Sequence, residues 1–142
     1  MNRTLLFLIT GLCPTLIFAE GCDVWTRSQS GSVPVIESHN CYEFKNMPIN
    51  SIDWSCSNEN KEMLTSTKKK VGQCSGHYQA TCTATITQES LANPHSTSKD
   101  KNAKSPNIPD KAQVITYYYD IERLSQAKID CESDGGLWKA SN

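Results

Sequence analysis

Residues 114–138 read VITYYYDIERLSQAKIDCESDGGLW, and this stretch decides the fold class. Val114 to Tyr119 is a run of β-branched and aromatic side chains, a composition that suits a pleated, half-buried strand. Asp120 follows as a good N-cap, and Ile121, Leu124, Ala127, Lys128 and Cys131 then predict a helix. The helix should stop at Gly135-Gly136, because glycine reaches the left-handed cap at no steric cost, and Leu137-Trp138 should fold back onto the core.

Upstream, His77 to Thr87 alternates and is rich in threonine, which predicts a strand with one face covered and one in water. Val33 to Ile36 followed by His39 to Phe44 predicts a further short strand. Pro48, Ile49, Ile52 and Cys56 have the spacing of an amphipathic helix over about 48–66, with Lys68-Lys69-Lys70 as its solvated end or the following loop rather than an anion site. Residues 20–33 read as an irregular arm pinned by Cys22. Pro94, Pro106 and Pro109 lie among Ser, Asn, Asp and Lys, so 89–112 is expected to be a polar, mobile loop. The expected fold is therefore α+β: a small disulfide-stapled domain with an antiparallel sheet of about three strands and two helices.

The N-terminus predicts export. Arg3 precedes an apolar run from Leu5 to Phe18 and a small residue, Ala19, so residues 1–19 read as a cleavable signal peptide and 20–142 as a single domain. The run is shorter than the roughly 20 apolar residues that span a bilayer, and no second run approaches that length, so no transmembrane segment is expected. Around Cys22 the preceding Ala19-Glu20-Gly21 has a small residue in place but an acid in its middle and no leucine. A lipid anchor at Cys22 is thus the disfavoured alternative to soluble release into the periplasm or the medium. After residue 19 no Asn-x-Ser/Thr sequon occurs, which with the short signal points to a bacterial source.

The formal net charge is −1, and loss of Arg3 leaves 13 cationic against 15 anionic side chains. Such a balance lacks the basic surplus needed on a phosphate backbone, so nucleic acid is not an expected partner.

Seven cysteines are present, and Cys13 would leave with the signal. The remaining Cys22, Cys41, Cys56, Cys74, Cys82 and Cys131 form an even set, which in an oxidising compartment reads as three bridges. Joining helix to helix and strand to strand gives Cys56–Cys131, Cys41–Cys82 and Cys22–Cys74 as the preferred set, one among connectivities that sequence does not separate. Bridging also removes the thiolates from the nearest metal-like spacing, Cys74-x2-His77 with Cys82 and His39-x-Cys41, so no metal or other cofactor is expected. No cysteine is left as a nucleophile, no Cys-x2-Cys pair occurs, and no serine sits in a Gly-x-Ser-x-Gly elbow. His77, beside Gly76, is the better histidine candidate for a site, against the simpler reading of a polar strand residue. Asp130, Glu132 and Asp134 read as a solvated helix end.

Binding residues are easier to nominate than catalytic ones. Tyr117, Tyr118, Tyr119 and Trp138 could present contact area to a protein or a glycan at low entropic cost. On a strand Tyr117 and Tyr119 share one face and Tyr118 takes the other, so part of this set belongs to the core.

The C-terminal pattern, Tyr117-Tyr118-Tyr119, then Ala127-Lys128-Ile129-Asp130-Cys131, then Gly135-Gly136-Leu137-Trp138, resembles small exported bacterial Cys-rich proteins. These proteins, often lipoproteins, end in Tyr-Tyr, a helix and Cys-x3-Gly-Gly-x-Trp. Cys41-Tyr42-Glu43, Cys56 and the Cys74 to Cys82 segment are compatible with that group, so the likeness covers about residues 41–138. It implies a compartment and a fold but no activity, and this chain departs from it in its poor lipobox and in the polar 89–112 segment. The expected function is that of an exported, noncatalytic, disulfide-rich binding or envelope-associated module. The alternative is a small secreted hydrolase or effector acting on the cell envelope.

Overall fold

The computed structural model describes residues 20–28, 37–56, 64–88 and 107–141. The elements in chain order are β1 (Gly21–Ser28), β2 (Glu37–Lys45), α1 (Ser51–Ser55), β3 (Leu64–Val71), β4 (Ala80–Thr85), β5 (Gln113–Tyr118), α2 (Leu124–Ser133) and β6 (Leu137–Ala140). The strands form one six-stranded antiparallel sheet in the order β3-β1-β2-β5-β4-β6. This corrects the α+β expectation of about three strands and two helices: the domain is predominantly β, and its helices are short. The segment expected to be a signal peptide, 1–19, most of the segment expected to be a loop, 89–112, and the expected strand start at 33–36 lie outside the described residues.

The extra strands come from segments whose side chains alternate with a period of two. In β1, Cys22, Val24 and Thr26 alternate with Asp23, Trp25 and Arg27, and this segment, expected as an irregular arm, pairs with both β2 and β3. In β3, Thr65, Thr67 and Val71 supply β-branched residues, and Lys68-Lys69-Lys70 lies on this edge strand instead of at a helix end. Lysines on an edge discourage unwanted pairing with other chains. Of the helix expected over 48–66, the described residues hold the five of α1, entered through Asn50 in the left-handed region (φ 67°) and followed directly by bridged Cys56, while 64–66 belong to β3 and 57–63 lie outside the described residues.

The pleat sorts the side chains onto two faces. Cross-strand partners Cys22↔Tyr42, Tyr42↔Thr116, Thr116↔Cys82 and Cys82↔Trp138 share the face that carries the helices. Asp23↔Cys41, Cys41↔Tyr117 and Tyr117↔Thr81 share the opposite face, over which the β3–β4 connection folds. Residue parity then fixes the bridges, which are Cys22–Cys56, Cys41–Cys74 and Cys82–Cys131. All six cysteines are paired, but none of the expected pairs forms. Cys41 and Cys82 point to opposite faces with β5 between their strands, so they cannot meet. Cys22 faces α1 while Cys74 lies on the other side, and Cys56 and Cys131 are anchored to different strands. Cys22 has its sulfur in a bridge and is fully buried.

The core is small and rich in sulfur. Among the described residues half of the ten buried apolar ones are cysteines, and Ile52, Ile86 and Ile115 are the only large aliphatic members, so cross-links carry much of what a larger core would supply. On α2 the only buried residue is Cys131. The helix starts at Arg123 without a side-chain cap, since the Asp120 carboxylate accepts instead from the His39 N–H at 2.5 Å. It stops at Gly135, whose φ of 77° is the expected left-handed cap.

Gly136 is fixed by packing. A Cβ there would stand 2.8 Å from the Cys131 carbonyl oxygen and from both sulfurs of the Cys82–Cys131 bridge. Gly136→Ala is therefore expected to destabilise by about 1–3 kcal/mol, the range for overpacking. Gly135→Ala should cost less, about 1 kcal/mol, since it meets only an unfavourable φ. Chemical denaturation of both variants checks the order, and an alanine at 136 milder than one at 135 would contradict the packing argument.

Candidate functional site

Tyr118, Trp138, Tyr117 and Tyr119 do not form one aromatic surface. Tyr118 and Trp138 lie together on the helical face with ring centroids 5.3 Å apart, and Tyr117 and Tyr119 lie on the other. Three groupings result, and the sequence reading had named only part of each.

The first is a ladder across β1, β2 and the end of β5. The Trp25, His39 and Tyr119 rings stack with centroids 3.8 and 4.3 Å apart and interplanar angles of 14° and 18°. One carboxylate braces the first two: Asp23 Oδ1 lies 2.6 Å from His39 Nε2, and Oδ2 accepts from Trp25 Nε1 at 3.2 Å. Tyr119 is tied at its far end, its hydroxyl donating to the Ser75 carbonyl at 3.0 Å. Burial, with the Asp23 charge adding to it, pushes the Tyr119 phenol above its ordinary value.

The second is a node beside the Cys41–Cys74 bridge. Glu43 is only 6% exposed, and its two oxygens accept from the Cys74 N–H at 2.7 Å and the Tyr117 hydroxyl at 3.0 Å. Burial and then the Glu43 carboxylate hold the Tyr117 phenol far above the usual tyrosine range. Tyr78 packs edge-on against the Tyr117 ring, with centroids 5.0 Å apart. Both Glu43 oxygens, the Cys74 N–H and the Tyr117 hydroxyl are paired with one another, so the node reads as structural support for the loop rather than as a ligand seat.

The third is a cleft of about 280 Å³ on the helical face, between α2 and the β2–β5 pair. Tyr118 and Ala127 give it apolar surface, and Ser38, Asn40, Asp120, Arg123, Gln126 and Asp130 give it polar groups. Asp130 Oδ1 accepts from the Gln126 amide at 2.7 Å, which fixes the geometry of both. Burial raises the Tyr118 phenol, with the Asp130 charge adding to it, so this hydroxyl is a neutral donor and acceptor near neutral pH. Among the described residues the Ser38 hydroxyl, the Asn40 amide and the Arg123 guanidinium make no hydrogen bond or ion pair. This cleft brings donors and acceptors together beside one aromatic side chain, a more polar lining than most small-ligand sites have.

The remaining candidates disperse. His77 is exposed, and its backbone N–H meets the Ser75 hydroxyl at 3.5 Å, with no acid beside its ring among the described residues. Cys74 and Cys82 are bridged to different partners, and His39 is committed to Asp23, so the metal-like spacing does not gather in space. Lys68 bonds the Ser55 carbonyl at 3.1 Å, and Lys70 pairs with Asp53 and Glu20 at 2.6 and 3.5 Å, which fastens α1 and the N-terminal end of β1 to the edge strand. The hydrogen bond from Lys70 to Asp53, and then the charges around it, raise the Lys70 pKa. Asn40, Asp120, Arg123 and Gln126 were not nominated from sequence, since a cleft between a helix and a strand depends on tertiary packing. Trp25 and His39 could have been found, since alternation over 21–27 and 37–43 places Asp23, Trp25, His39 and Glu43 on one face. No family model, curated protein or solved structure matches this chain, so the likeness to small exported Cys-rich proteins rests on the C-terminal residues quoted above.

Proposed function

We propose that the protein is an exported, noncatalytic binding module whose ligand seat is the cleft over Tyr118. The observation that carries this reading is the cleft itself: Asn40, Ser38 and Arg123 line it together with Tyr118, and among the described residues their side chains make no hydrogen bond or ion pair. Three bridges on a small sheet suit a protein that works outside the reducing cytoplasm. The ladder offers a second, flatter surface, since Trp25 is 41% exposed.

The hydrolase alternative has one partial support, the Asp23–His39 pair, which has the form of a base with its orienting acid. Trp25 and Tyr119 cover both faces of that imidazole, and among the described residues its ring bonds no hydroxyl or thiol. A binding role is therefore the better reading. Ligand-observed NMR against a mixture of small envelope fragments tests it. The oxidised protein should give saturation-transfer signals that the Asn40→Ala/Arg123→Ala variant loses at an unchanged melting temperature. Equal signals from both proteins would remove the cleft from the argument. Intact mass of the protein recovered outside the cytoplasm, before and after reduction, tests export by locating the cleavage site and counting the bridges.

A further inference from the structure

We infer that the cleft between α2 and the β2–β5 pair takes one ring of a saccharide, an inference that rests on reading the domain as a binding module. A pyranose is amphipathic: its C–H face is apolar and its rim carries hydroxyls that both donate and accept. The cleft has the matching division. Its lining combines the aromatic Tyr118 and the small apolar Ala127 with six polar or charged residues.

The polar groups are mixed in the way vicinal hydroxyls need. Asn40 offers an amide that can donate and accept side by side, and Ser38 a hydroxyl of either sense. Arg123 supplies forked donors, and Asp120 and Asp130 supply acceptors. Each carboxylate has one oxygen engaged within the protein, Asp120 Oδ2 by the His39 N–H and Asp130 Oδ1 by the Gln126 amide. The engaged oxygens hold the side chains in place, and the second oxygen of each is left to accept from a ligand hydroxyl.

Charge argues against the competing classes. Two carboxylates against one guanidinium disfavour a phosphate or a polyanion, whose charges would face like charge at short range. A wholly apolar ligand would leave the rim groups desolvated and unpaired, which costs more than the Tyr118 contact returns. The volume of about 280 Å³ falls just below the roughly 300–1,000 Å³ of small-molecule sites, which suits one sugar ring rather than a peptide segment of several residues.

The test is an amide chemical-shift titration of the oxidised, nitrogen-15-labelled protein with two sets of probes. One set is neutral sugars: glucose, galactose, mannose and N-acetylglucosamine. The other is dialanine and inorganic phosphate. At least one sugar should shift the amides of Asn40, Asp120 and Gln126 with a dissociation constant on the order of 1 mM, a fitting affinity for a single ring. Arg123→Ala, an exposed substitution that leaves the core alone, should weaken that sugar about tenfold, the effect of losing a charged hydrogen bond. Cleft shifts with dialanine or phosphate and none with sugars would overturn the saccharide inference while leaving a binding module standing. Silence of the cleft to every probe would overturn the inference and take the proposed seat with it. Sugar shifts that survive in full in both Arg123→Ala and Asn40→Ala would place the sugar elsewhere and overturn it as well.

Discussion

Reducing the three disulfides is expected to unfold the protein at about 25 °C. The bridges close chain separations of 34, 33 and 49 residues, for which the chain-entropy argument gives about 4 kcal/mol each. That total rivals the roughly 5–15 kcal/mol that a domain of this size has in all. The core among the described residues cannot make up the difference, because five of its ten buried apolar residues are the cysteines themselves. Of the paired substitutions, Cys82→Ala/Cys131→Ala should act most selectively on the helical face. Cys131 is the one buried residue of α2, so without the bridge the helix has little to hold it to β4, and the cleft should disperse with it. Cys41→Ala/Cys74→Ala should instead free the β3–β4 connection and expose the Glu43 node. Near-ultraviolet circular dichroism of the fully reduced protein, with free thiols counted by mass, decides the matter. A native spectrum with six free thiols would refute the dependence on cross-links.

How much of this was legible in the sequence varies with the range of the interactions involved. The strands expected over 114–119 and 77–87 and the stop at Gly135 depend on local composition and backbone preference; the strands are found as Gln113–Tyr118 and, shortened at both ends, Ala80–Thr85, and the left-handed Gly135 is where the sequence places it. The β1 and β3 strands were missed because polar residues interrupt the usual apolar signal. Asp23, Arg27 and three lysines look like loop or helix-end residues until a neighbouring strand supplies partners. Cysteine pairing failed for a related reason. Matching helix to helix ignores the face of the sheet each strand residue occupies, and parity along β1, β2 and β4 selects different partners. The cleft shows the far limit, since Asn40 and Arg123 are separated by most of the chain and meet only because β2 lies beside β5 and α2 follows it.

Removing the Glu43 side chain should cost about 2–4 kcal/mol, more than most single changes outside the core. Glu43→Ala leaves the Cys74 N–H and the Tyr117 hydroxyl buried without an acceptor, on the loop that the Cys41–Cys74 bridge holds down. Glu43→Gln is the informative control. Its amide oxygen can still accept from the Cys74 N–H and its amide nitrogen can donate to the Tyr117 oxygen, so about 1 kcal/mol of loss is expected. The two variants should also differ at high pH. Burial and the neighbouring carboxylate raise the Tyr117 phenol, and burial raises Tyr42, Tyr118 and Tyr119. A phenol whose value is raised on folding gives its full stabilisation below the unfolded value of about 10 and loses it as pH rises through the folded value. Stability should therefore fall steeply above about pH 10, with tyrosinate absorbance appearing together with unfolding. In Glu43→Gln the carboxylate no longer opposes Tyr117 ionisation, so the fall should be shallower although the protein starts less stable. Urea midpoints measured from neutral to strongly alkaline pH test both statements, and an equal alkaline slope in the variant would show that the Glu43 charge does not reach Tyr117.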